Sequence, residues 1–84
     1  MNYAVLITPR AKRELMDLPE RDFRKVDTAI MALAVQPRPA GCKKLQDSQL
    51  WRIRVGDYRV IYEIEDQAKT VLVLAIGHRK EIYR

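Results

Sequence analysis

The stretch Leu50-Trp51-Arg52-Ile53-Arg54-Val55-Gly56-Asp57-Tyr58-Arg59-Val60-Ile61-Tyr62-Glu63-Ile64 decides the fold. Side chains on a strand alternate between faces. Trp51, Ile53 and Val55 therefore point one way, and Arg52 and Arg54 the other. In the second half, Tyr58, Val60, Tyr62 and Ile64 share a face, opposite Arg59, Ile61 and Glu63. Gly56-Asp57 is the Gly-X signal of a two-residue hairpin turn. Closing that turn pairs Val55 with Tyr58, Arg54 with Arg59 and Ile53 with Val60. The two apolar faces then coincide, which supports this register.

The same register sets Arg54 across from Arg59, with Arg52 two residues along. Like charges directly opposite destabilise a sheet, by roughly 0.2–1 kcal/mol per pair. The fold has no need of that arrangement, and an anion between the guanidiniums would account for it. Phosphate suits planar, bidentate donors best. In the plainer alternative, Arg54 pairs with Glu63 or another acid and the cluster is a solvated face.

Working outward, Val71 to Ile76 is a continuous apolar run, expected as a central strand buried on both sides. Glu65 to Lys69 is the polar turn before it. Upstream, Gln36-Pro37-Arg38-Pro39-Ala40-Gly41 bars regular structure and reads as a loop. Before it, Phe23, Val26, Ile30 and Leu33 repeat at helical spacing. An earlier short helix carries Ala11, Leu15 and Leu18, with Thr8 as its cap, Pro9 at its first position and Pro19 after its end. Tyr3 to Ile7 reads as a first strand. The expected order is β-α-α-β-β-β: an α+β fold, with an antiparallel sheet carrying the N-terminal helix hairpin on one face. Where the first strand pairs stays open.

Eighty-four residues allow one domain and one modest core. Sixteen Lys and Arg against eleven Asp and Glu give a net charge of +5, which favours an anionic partner. The apolar N-terminus is short and has no basic segment before it, so it reads as a strand and not a signal peptide. Neither an apolar membrane span nor a membrane partner is expected. Cys42 is the only cysteine, which suits a reducing cytosol, and it reads as a passive thiol. One His, one Cys and no carboxylate pair at ligand spacing argue against a metal site. Gly41, Gly56 and Gly77 are scattered, so no phosphate loop exists and no cofactor is expected. Ser48 is the only serine, which excludes a serine triad.

The end of the chain, Gly77-His78-Arg79-Lys80-Glu81-Ile82-Tyr83-Arg84, offers an imidazole, further cations and a phenol next to the arginine face. Histidine is the side chain best suited to proton transfer near neutral pH. Alone, His78 would read as an ordinary surface residue and Tyr83 as a packing residue.

Lys43-Lys44-Leu45, the hairpin Leu50–Tyr62 and Gly77–Tyr83 together resemble the RelE family of the RelE/ParE toxin superfamily. Thr8 to Pro19 is similar to that family as well, so the resemblance covers nearly the whole chain. It implies a compact sheet with an α-hairpin. It implies a toxin of a type II toxin–antitoxin system that cleaves mRNA in the ribosomal A site. The cut uses the RNA 2′-hydroxyl as nucleophile, leaves a cyclic phosphate and needs no metal. The implied partners are a cognate antitoxin, mRNA on the ribosome with its 16S rRNA, and operator DNA only through the antitoxin complex. A cytoplasmic location follows.

By position, the resemblance assigns Arg52, Arg54, Arg59 and Arg79 to phosphate and transition-state charge. Tyr83 takes proton transfer or base stacking. Lys43, Lys44, Lys80 and Arg84 read as RNA-contacting. Relatives often carry Lys where this chain has Arg52 and Arg54, and Arg cannot give up its proton under working conditions. Acid–base work must then move to His78 or Tyr83. The alternatives are a ParE-like toxin that binds gyrase, and a module that binds RNA or the ribosome without cutting.

Overall fold

Thr8 starts the helical layer as the sequence predicts. In the computed structural model, which describes residues 2–78, its side chain accepts from the Ala11 N–H at 3.1 Å, with Pro9 at the first helical position. This cap satisfies a donor that the helix cannot satisfy itself. Helix α1 (Pro9–Met16) follows strand β1 (Ala4–Ile7). Pro19 then separates α1 from α2 (Glu20–Ala32). The remaining elements are β2 (Lys43–Lys44), β3 (Leu50–Val55), β4 (Tyr58–Glu65) and β5 (Thr70–His78).

The five strands form one sheet in the order β1-β5-β4-β3-β2. The hairpin register is the one read from sequence: Val55 faces Tyr58, Arg54 faces Arg59 and Ile53 faces Val60. Gly56 has φ +61 while Asp57 is not in the positive region, the pattern of a type II′ turn, which wants glycine first. Helix α1 packs on β5, and α2 packs on β3 and β4. Their buried side chains Ala11, Leu15, Val26 and Ile30 meet Ile53, Val60, Tyr62, Val71, Val73 and Ile76 in one core. These sheet residues define an inner face. The other face has no helical layer among the described residues.

Four expectations need correction. The sheet is mixed, because β1 runs parallel to β5, whereas it was expected to be antiparallel throughout. A chain that reverses at each connection, through two helices and then three more turns, arrives at β5 pointing as it did in β1. Strand β5 is interior, between β1 and β4, but only part of its outer face is enclosed: Val71, Val73 and Ile76 are buried on the helix side and Ala75 opposite Ile61 on the other, while Leu72 and Leu74 are half-buried. It also runs on to His78 instead of stopping at Ile76. A further strand, β2, has only two residues, too few to show a periodicity in sequence.

A polar clasp ties the Pro-rich loop to the sheet. Arg38 donates to both Asp66 oxygens at 3.2 and 2.9 Å, and the Tyr3 hydroxyl donates to Asp66 Oδ1 at 2.6 Å. The Arg38 guanidinium also lies 5.1 Å from the Trp51 ring centre. Buried Tyr62 donates its hydroxyl to the Pro37 carbonyl at 2.8 Å. The loop between α2 and β2 is thereby held beside the β3 edge.

Candidate functional site

Pleating carries Arg52 and Arg54 to the outer face of β3, and Arg59 joins them from β4. Lys43 lies opposite Arg52 across the β2–β3 ladder and so shares that face. Lys44 lies opposite Trp51, a register position on the other face. The cationic group brought together is thus Lys43, Arg52, Arg54 and Arg59.

Arg52 is the unusual member. It is only 6% exposed, and its Nε has no hydrogen-bond partner among the described residues. Burying a guanidinium without a counter-charge is costly. Among the described residues the ion pairs are Arg10–Glu14, Arg24–Glu20 and Arg38–Asp66, all away from this face. Glu63, the acid that pairing with Arg54 would have required, sits opposite Leu50. A buried donor aimed at no acid, beside further cations, is suited to an incoming anion.

His78 is not brought to this face. Gly77 lies opposite Arg59 and His78 opposite Tyr58, so alternation turns the imidazole toward the helix side. There its ring meets Tyr58 edge-on, with centroids 5.8 Å apart, and the Tyr58 hydroxyl donates to Asp22 Oδ2 at 3.3 Å. The expectation that His78 stands beside the arginines failed because the β4–β5 register shifts at Leu74: Tyr62 pairs with Val73 but Ile61 with Ala75, so beyond that point the even-numbered residues of β5 turn to the helix side. Arg79, Lys80, Tyr83 and Arg84 lie outside the described residues. No group of three or more His, Cys, Asp or Glu able to hold a metal occurs among the described residues. No helix there is long and apolar enough to cross a membrane.

A groove of about 480 Å³ runs along the β3 edge beside the cationic face. Its lining comes from Lys43, Arg52, Ile53 and Arg54 of the sheet, from Ala29 of α2 and from the Pro39–Gly41 segment. Sequence reading missed this feature. It exists because β2 pairs with only two residues of β3 and then leaves the edge.

A family model described as the ParE toxin of the type II toxin–antitoxin system parDE matches residues 5–83. Toxin RelG of Mycobacterium tuberculosis is 35% identical over 86 residues, spanning 100% of this chain and 99% of that protein. The chain belongs to the RelE/ParE toxin family. Solved structures agree with the family assignment. The toxin–antitoxin complex RelBE2 of M. tuberculosis contains a chain with TM-score 0.84 and 32% identity, covering 94% of this chain and 100% of that one. The archaeal RelE–RelB complex of Pyrococcus horikoshii gives TM-score 0.85 and 30% identity, covering 96% and 99%. The matching model carries the ParE name, while these full-length relatives carry RelE-type names. This RelE/ParE member is therefore a toxin of a type II toxin–antitoxin system.

Proposed function

We propose that this toxin is a metal-independent endoribonuclease that cleaves mRNA on the ribosome, in the A site, and so arrests translation. The observation that carries the reading is Arg52: a buried guanidinium with no acidic partner among the described residues, in register with Lys43 and next to Arg54. A phosphodiester supplies the missing anion. In the step itself, the ribose 2′-oxygen attacks the adjacent phosphorus and the bond from phosphorus to the 5′-oxygen breaks. A 2′,3′-cyclic phosphate remains on the upstream fragment. The 2′-hydroxyl proton passes to a base, and the departing 5′-oxygen takes up a proton.

Arg52, Arg54, Arg59 and Arg79 hold the extra negative charge of the five-coordinate phosphorus, the kind of fixed electrostatic stabilisation that supplies much of enzymatic rate. Tyr83 serves as the proton-transfer group. It must give up a proton that a phenol ordinarily holds to about pH 10, a loss that cations favour wherever they stand close to a phenol. His78 falls away as a candidate, since it faces the helix side. Lys43 contacts the RNA backbone, and Lys80 and Arg84 extend that contact.

The cognate partner is an acidic antitoxin that covers the cationic face, in keeping with the RelE–RelB assemblies of the relatives. Operator DNA is met only through that complex. The place of action is the cytoplasm.

A cell-free translation reaction with mapping of mRNA 5′ ends tests the reading. The wild-type chain arrests translation and creates new ends at codons in the A site, and Arg59→Ala or Arg79→Ala suppresses both. Arrest without new ends would contradict cleavage and favour gyrase-independent ribosome binding. Intact translation with inhibited DNA supercoiling would favour a gyrase-binding toxin.

A further inference from the structure

The groove along β3 contains an unused stretch of strand edge. Leu45 N–H donates to the Leu50 carbonyl at 2.8 Å, so the backbone groups of Leu50 point toward β2. Alternation sends those of Arg52 and Arg54 the same way. Lys43 meets Arg52, and one more step of the ladder would set Gly41 opposite Arg54. The chain does not take that step. Cys42 N–H instead turns back to the Pro39 carbonyl at 3.0 Å, and Gly41 adopts φ +88, a conformation that favours glycine. The Arg54 N–H and C=O are left facing the groove with no backbone partner among the described residues.

We propose that this groove is a purine-base subsite for the nucleotide whose phosphate lies on the arginine face; the proposal rests on the anion-binding reading above. Three observations support it. The free N–H and C=O of Arg54 form a donor beside an acceptor, complementary to the donor–acceptor edge of a nucleobase. Ala29, Pro39, Ala40 and Ile53 give the groove an apolar lining, which suits the flat face of a ring. The volume of about 480 Å³ lies within the ordinary range for small-molecule sites, roughly 300–1,000 Å³. A purine covers more of such a wall than a pyrimidine does. The side chains of Arg52 and Arg54 start from the same strand whose backbone would read the base. The phosphate and base of one nucleotide are therefore met by one short segment, and sequence preference would be set by main chain.

The test is titration of the isolated chain, followed by amide NMR and calorimetry, with inorganic phosphate, ribose 5-phosphate and the four nucleoside 3′-monophosphates. The purine nucleotides should bind roughly tenfold more tightly than ribose phosphate, the size of one good paired hydrogen-bond contact to a base, and should move the Arg54 amide signal. Ala29→Leu, which fills the groove, should bring purine affinity down to that of ribose phosphate. Ala40→Leu does the same from an exposed loop position if the helix variant folds poorly. Equal binding of nucleotides and ribose phosphate, with the Arg54 amide unmoved, would overturn the base subsite and leave the phosphate face standing. No binding of any anion would overturn the anion-site reading as well. Binding of an acidic extended peptide at Arg54 without any purine preference would assign the groove to a protein partner and overturn the proposal.

Discussion

Arg54 and Arg59 stand directly opposite each other in the β3–β4 ladder, two cations in register on the outer face of the sheet. The hairpin is fixed by its other face, where Ile53, Val60 and Tyr62 are buried. Packing there dictates the register, and the repulsion on the outer face follows. Arg54→Thr should therefore raise stability by roughly 0.2–1 kcal/mol, read as a higher urea midpoint at low salt. The gain should shrink as salt screens the pair. A lower midpoint would show that Arg54 is already neutralised.

Arg52 presents the same conflict in a buried setting. Replacing it with methionine removes an uncompensated guanidinium and keeps a long apolar stem. Arg52→Met should melt no lower than the parent, with a gain on the order of 1 kcal/mol. It should also lose the stabilisation that phosphate or sulfate confers by binding the native state. Scanning calorimetry with and without sulfate measures both effects. A variant that melts lower and still responds to sulfate would place the anion elsewhere.

The clasp at Asp66 predicts a pH dependence. Arg38 and the Tyr3 hydroxyl both donate to its carboxylate and hold its pKa down at about 2, below the usual 3.8. The folded state thus binds this proton less readily than the unfolded chain does. Its contribution to stability is fully present above about pH 4 and disappears as pH falls through about 2. Urea midpoints of wild type and Asp66→Asn should differ at pH 6 and converge toward pH 2. A constant gap would mean that the carboxylate charge has no part in the clasp.

Tyr62 ties the same loop down from inside. It is fully buried and its hydroxyl donates to the Pro37 carbonyl. Burial raises its pKa well above the ordinary phenol range. Tyr62→Phe leaves that carbonyl unpaired and should cost about 1–2 kcal/mol in urea unfolding. No change would indicate that water replaces the phenol.

The hairpin was legible because alternation and a Gly-X turn constrain each other. Val26, Ile30 and Leu33 were legible because helical spacing marks a buried stripe. The features that escaped were set by strand ends. A two-residue strand such as Lys43–Lys44 has no pattern to read, so Lys43 and Lys44 looked equivalent although their register positions lie on opposite faces. Nothing in the apolar run Val71–Ile76 announces the register shift at Leu74, and that shift turns His78 to the Tyr58 side. The Arg38–Asp66 contact joins residues 28 apart through the tertiary fold alone.

Chemical analysis of RNA fragment ends from a translating extract bears most directly on the outer face as a cleavage site. With the wild-type toxin, upstream fragments should end in a 2′,3′-cyclic phosphate, and Arg52→Met should reduce their yield at least roughly a hundredfold, the scale of losing one preorganised charge contact in a transition state. Translation arrest without such ends, or undiminished cutting by the folded variant, would contradict it.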